Sequence, residues 1–361
     1  MATTHRVSDP RIFQKECRTL AAAGHEVVYI VPHTHDEVIE GVEIKAVPAP
    51  ESGKDRLLRT TRQVYRRALE EDATAIFHLH DYDLVPYGFA LKMRGRRVVY
   101  DSHEDTPKQM QYQHWIAPGL RPIASRATGL MEWLAGHYFD AIIAAEPANA
   151  RRFPASKTTL IHNYPLKSEL LFGDAQPYRE RDFIVTYVGG LTEVRGLWEM
   201  VEMVRLLEDS ELILGGPFFP ASLEKEFEQR AQGLPITALG YLNRTEVAEV
   251  MNRSRVGIVL MHPLPKHIEC LPTKLFEYMA VGLPVVVSDF PDWRAIIQDA
   301  DCGILVDPMD PSAAADAVRY LFENPDEAEA MGARGRRAVE KRFNWEMESR
   351  KLLDFYDRLA R

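Results

Sequence analysis

Two glutamates, Glu269 and Glu277, enclose seven residues that include Thr273 and Lys274, and this short stretch carries the side chains best suited to chemistry. Thr273 opens a helical run, so the first backbone N–H groups after it are free to receive a phosphate, with the Lys274 ammonium beside them. Pro272 supplies no N–H, which makes the seat poorer than a glycine-rich one. Glu277 falls one turn later on the face of Thr273, placed to accept hydrogen bonds from a ribose diol lying over that helix end. Farther up the chain, His103 follows a strand in the segment DSHEDTP, at the carboxyl end where open α/β sheets do chemistry. Asp81 and Asp83 imitate a metal-binding DxD, but two aspartates without further hard ligands are a weak metal signal. No metal and no resident cofactor are expected.

The elements that must position these groups can be read around them. Val256 to Met261 is a short apolar run, the pattern of a strand buried on both faces of a parallel sheet. A loop to Pro272 follows, then a helix from Thr273 to Val281, stopped by Gly282 and Pro284, and a strand from Val285 to Ser288. Such a βαβ unit crosses over right-handedly, which places the loop bearing Glu269 at the carboxyl edge of the sheet. Similar apolar runs at Glu26–Val31, Ala75–Leu79, Arg97–Tyr100, Ala141–Ala145, Thr158–Ile161, Phe183–Val188, Glu211–Gly215 and Gly303–Val306 imply an α/β protein. With 361 residues, 46% of them hydrophobic, the chain suits two domains. We expect them at 1–165 and 183–344, joined by a polar hinge at 166–182 and followed by a terminal helix at 345–361. Only Met1 to Thr4 stand where a first strand of the N-terminal domain belongs, so that strand is either very short or clipped.

Composition narrows the function classes. A net charge of −9 makes nucleic acid an unexpected partner. No apolar run approaches a membrane span, and three cysteines without metal-ligand spacing suit a cytoplasmic protein. Charge is unevenly shared: residues 1–165 carry +1, which leaves −10 of the net −9 for residues 166–361. In the first half, DRLLRTTRQVYRRAL reads as a helix whose stripe of Leu57, Leu58, Thr61, Val64, Tyr65 and Ala68 is rimmed by arginines. That pattern suits peripheral contact with an anionic membrane or a phosphorylated acceptor, or simply a core-facing helix with a solvated basic rim.

The stretch from Ser254 to Trp293, with its glutamate pair, the helix EYMA, Gly-x-Pro and strand, resembles the retaining GT-B glycosyltransferases, in particular family 4 (glycosyl transferases group 1). The likeness extends from DPRIF to the terminal helix. It implies two Rossmann-like domains with parallel sheets facing across a cleft and a C-terminal helix crossing back to the first domain. It also implies a metal-free site in which Glu269 and His103 serve the transferred sugar. Matching positions in the turn GGLTEVRG are Gly190 and Arg195; family members usually carry two cations there, and this chain has one. Tyr241 and Leu242 match the loop that cups the nucleobase, while Thr273, Lys274 and Glu277 complete the donor site. The implied reaction moves a sugar, with retention, from a UDP- or GDP-sugar to a glycan, lipid-linked or small-molecule acceptor. A nucleotide-sugar epimerase of the same fold and a non-catalytic nucleotide-sugar-binding subunit are the alternatives; donor turnover without acceptor, or binding without turnover, would distinguish them.

Overall fold

The computed structural model describes residues 1–103, 105–112, 116–170 and 176–360. The chain divides into two compact units, Met1–Asn163 with Trp345–Arg361, and Tyr164–Asn344.

Unit 1 holds β1 (Val27–Pro32), β2 (Glu37–Ile39), β3 (Val42–Val47), β4 (Ile76–Leu79), β5 (Arg97–Ser102), β6 (Ala141–Ala144) and β7 (Thr158–Leu160). The strands β1 and β3 pair in parallel, β2 joins antiparallel at the edge, and β4-β5-β6-β7 form a second parallel run. Ala2 closes the space between these runs by bridging to both Ile30 and Leu79. The first strand is therefore present but very short: Ala2 N–H donates to His78 O, His80 N–H to Ala2 O, and Thr3 N–H to Ile30 O. Strand interiors such as Val98, Val99, Ile142 and Ile143 are fully buried, as a sheet covered on both faces requires.

Helices α1 (Arg18–Ala22), α2 (Thr61–Ala68), α3 (Val85–Lys92) and α4 (Arg121–Tyr138) pack on this unit. Both α1 and α2 follow π-helical turns, at Ile12–Cys17 and Arg56–Thr60. The second turn corrects the expected apolar stripe. A π-turn inserts an extra residue and rotates what precedes it off the helix face, so Leu57 and Leu58 project to solvent while Thr61, Val64 and Ala68 are buried. The C-terminal helix Trp345–Ala360 belongs to unit 1. Trp345 Nε1 donates to Thr19 Oγ1 at 2.9 Å, the Tyr356 hydroxyl meets His78 Nδ1 at 2.7 Å, and Arg97 Nη1 donates to Leu359 O.

Unit 2 is a six-stranded, wholly parallel sheet in the order β10-β9-β8-β11-β12-β13, built from β8 (Ile184–Val188), β9 (Glu211–Gly215), β10 (Ile236–Gly240), β11 (Val256–Val259), β12 (Val285–Ser288) and β13 (Gly303–Val306). Its helices include α5 (Leu197–Arg205), α6 (Arg244–Arg253) and α7 (Thr273–Ala280). Strand order reverses between β8 and β11, so the crevice at their carboxyl ends is the switch point where doubly wound sheets bind ligands. The run expected as a hinge, 166–182, lies in unit 2. Within it Tyr178 is 2% exposed in the core and Arg181 donates to Ser254 O and Val281 O; residues 171–175 lie outside the described residues.

Candidate functional site

Two loops meet at the switch point of unit 2. The turn after β8 begins at Gly189, whose φ of +146° and N–H···O bond to Gly215 O bring it close to β9. A Cβ on Gly189 would lie 2.5 Å from Lys274 Nζ, so only glycine admits the ammonium there. Lys274 stands at the start of α7; its Nζ donates to the Tyr187 hydroxyl at 3.3 Å and lies 4.8 Å from the centre of that ring. Arg195 closes the turn Glu193–Arg195, and its Nη1 donates to Gly190 O at 3.3 Å. Both cations thus converge on the Gly189–Gly190 turn beside the free N–H groups of α7, an arrangement suited to a doubly charged phosphate group.

The loop after β11 is tied down along its length. His262 N–H donates to Val194 O, fixing the loop to the Arg195 turn, and the Ser288 hydroxyl donates to Met261 O. Trp293, fully buried, donates from Nε1 to Cys270 O at 2.6 Å. This loop contains a short helix, Pro265–Ile268, where the sequence suggested none; Glu269 caps it and is half-buried. Burial pushes the His267 imidazole down to about 4, so that histidine is a neutral packing group. On α7, Glu277 lies one turn beyond Thr273, and its Oε1 accepts from Arg244 Nη1 at 3.0 Å. Leu242 packs against Gly215, where a Cβ would sit 2.6 Å from Leu242 Cδ1, whereas the Tyr241 ring is 82% exposed.

Unit 1 has its own cavity of about 750 Å³, lined by His5, Lys54, Arg56, Asp81, Asp83 and His103 among others. It opens where the loops following Ala2 and β4 diverge, the corresponding switch point of that sheet. His103 Nδ1 lies 4.0 Å from Asp101 Oδ1, and its ring meets that of His5 edge-on at 5.8 Å. The two aspartates of the DxD are occupied by protein cations: Arg56 Nε donates to Asp83 Oδ2 at 2.5 Å and Nη2 to Asp81 Oδ1 at 3.4 Å, while His5 Nε2 reaches Asp81 Oδ1 at 3.0 Å. Burial raises the Asp81 carboxyl, but the His5 hydrogen bond and charge outweigh it and hold the group below its ordinary range. Hydrogen bonds to Asp81 and Asp9 push the His5 imidazole up to about 10.

Similarity to known proteins places the chain in a family. Residues 174–338 match the family described as glycosyl transferases group 1, and residues 11–163 match glycosyltransferase family 4. The chain belongs to the family 4 glycosyltransferases. It is 25% identical over 360 residues to the phosphatidyl-myo-inositol mannosyltransferase of Mycobacterium leprae, covering 94% of this chain and 90% of the relative. Among solved structures, sucrose-phosphate synthase from Thermosynechococcus elongatus superposes with a TM-score of 0.78 at 20% identity, covering 96% of this chain and 92% of that one. Anabaena HepE in complex with UDP-glucose gives 0.71 at 12% identity, with 94% of each chain covered. The fold is accordingly GT-B.

Several groups in this glycosyltransferase were not legible as site residues. Arg244, the partner of Glu277, sits in the first turn of a helix opened by an Asn243–Glu246 capping box, so its sequence signal is that of a helix start. Tyr187, fully buried within β8, and Phe219, 58% exposed, lie beside the glycine turn and were not among the expected site residues. His5 also yields a pH prediction. Its folded pKa is raised, so the stability it contributes is fully present below its ordinary 6.5 and lost as pH rises through about 10. Denaturation of wild type and His5→Ala across pH 6 to 10.5 should show the gap between them closing as pH rises; a constant gap would refute the imidazolium.

Proposed function

We propose that the chain transfers a sugar, with retention, from a nucleotide-diphosphate sugar to a glycan or lipid-linked acceptor at the cytoplasmic face of a membrane. The observation that carries the donor reading is the convergence of Lys274 and Arg195 on the Gly189–Gly190 turn at the start of α7. Negative charge grows on the diphosphate as the glycosidic bond breaks, and fixed donors aimed at developing charge act most strongly in the transition state. Glu277, steadied by Arg244, is placed to accept from the ribose hydroxyls, and Leu242 to pack beside the base. Glu269 would hold hydroxyls of the transferred sugar. Departure and attack on the same face accounts for retention without a covalent nucleophile. Support for the donor class comes from HepE, solved with UDP-glucose, and for a lipid acceptor from the mannosyltransferase, whose name specifies phosphatidylinositol.

A panel of UDP- and GDP-sugars tested for thermal stabilisation examines this reading, because a ligand bound only by the native state raises apparent stability. One family should raise the melting temperature, and no response to any member would reject it. Glu277→Ala should weaken that nucleotide by roughly 1.5–3 kcal/mol, the scale of hydrogen bonds to a charged acceptor. Arg244→Ala should weaken it less, since it frees the carboxylate to reorient. Wild-type affinity in Glu277→Ala by calorimetry would refute the ribose role.

A further inference from the structure

Helix α4 turns its apolar side outward. On a helix with 3.6 residues per turn, its exposed positions, from Pro122 to Tyr138, all fall within about 160° of arc centred on Leu130. That arc carries Ile123, Leu130, Trp133, Leu134 and Tyr138, of which Ile123 and Leu130 are 61% and 58% exposed. Its ionisable residues are Arg126 and His137, with no acid among them. The helix's one acid, Glu132, points the other way: it is buried, accepts from the Tyr100 hydroxyl and pairs with Arg152. An ordinary surface helix has the opposite distribution, apolar inward and charged outward. Helix α3 lies alongside, with Phe89 against Tyr138, and is followed by Met93, 73% exposed, and Arg94.

Of the arginines that rim the stretch from Arg56 to Arg67, three are engaged by the protein itself, while Arg62 and Arg66 are exposed. Arg56 serves Asp81 and Asp83, Arg59 pairs with Asp55, and Arg67 pairs with Asp36 and Glu70. Those three are less available to a headgroup than the sequence suggests.

We infer that the outward face of α4, extended by Met93 and Arg94, docks unit 1 in the interface of an anionic bilayer. The inference builds on the membrane-linked acceptor proposed above. No described helix is long and apolar enough to cross a membrane, whereas an amphipathic helix with tryptophan, leucine and arginine on its outward side lies in the plane of the headgroups. A second copy is the poorer occupant, because a two-fold contact sets the same patch against itself and would gather arginines without an acid between them. Lipid phosphates supply the missing negative charge, and Trp133 and Tyr138 suit the headgroup boundary.

Co-sedimentation of the full chain, without donor or acceptor, tests this against phosphatidylcholine vesicles with and without phosphatidylglycerol. Wild type should bind the anionic vesicles, and less so as salt rises, since exposed charges are screened over about 8 Å at physiological ionic strength. Leu130→Glu with Trp133→Glu should weaken binding about tenfold or more while leaving nucleotide-sugar stabilisation intact; that second readout shows the variant is folded. Arg126→Glu should weaken binding to the anionic vesicles alone. Equal binding of wild type and the double variant, or none by wild type, overturns the inference. So does a dimer in solution that the double variant dissolves, which would assign the face to a second copy. The vesicle result is independent of transfer activity, so either reading can fail alone.

Discussion

Lys274→Ala is expected to lower turnover by about 10²–10³, the loss that follows removal of one donor to developing charge. Its ammonium occupies the space above Gly189 that a Cβ would fill, held over the Tyr187 ring, and so has little conformational entropy left to lose in the proposed role. Arg195→Ala should cost about 10² by the same argument. The guanidinium is partly spent on Gly190 O, which gives it a share in shaping the turn as well as in binding. On the proposed reading both cations serve one diphosphate, so the two single losses should not add: removing either changes what the other neutralises. Steady-state kinetics of both singles and the double mutant, with the donor found by stabilisation, measures this. A Lys274→Ala enzyme with more than half of wild-type turnover would place the leaving-group cation elsewhere.

Arg11→Met should destabilise the protein by about 3–5 kcal/mol, as removing one partner of a buried ion pair does. The Arg11 guanidinium, 4% exposed, donates from Nε and Nη2 to the two oxygens of Asp101 at 2.9 and 3.2 Å and from Nη1 to Ile161 O. Burial would raise the Asp101 carboxyl, but the Arg11 charge overrides it and holds the group well below the usual range. Glu16, also buried beside Arg11, is pushed the other way, well above its ordinary range, by burial and by the Asp101 charge. Methionine fills the stem volume and leaves the Asp101 charge without its partner. Urea denaturation at pH 7 gives the loss. Asp101→Asn added to Arg11→Met should recover part of it, since the amide carries no charge to strand. A single-mutant loss below about 1 kcal/mol would show the pair to be dispensable.

Alternation of apolar runs with helical segments, each closed by glycine or proline, was enough to give an α/β fold, because those signals are local and their physics is short-range; β2, β3 and β10 were not among the expected runs. Thr273–Ala280 emerged within one residue of its expected end, since Gly282 and Pro284 act on their own immediate backbone. The grouping of Lys274, Arg195 and Glu277 about one turn and one helix start was likewise readable, because spacing along a single helix or turn fixes which way a side chain faces. Decisions that depend on residues distant in sequence needed the folded chain. Ala2 is a strand only because Ile30 and Leu79 lie on either side of it, and three residues carry no periodicity of their own. Arg244 reaches Glu277 across 33 positions, and Asp81 and Asp83 meet His5 and Arg56 through loops that converge only in the tertiary structure. Even within one helical stretch, the π-turn at Arg56–Thr60 turned Leu57 and Leu58 outward, and packing on the sheet chose which side of α4 went inward. Periodicity states that a helix has an apolar side; which neighbour covers that side is settled by the energetics of the whole unit.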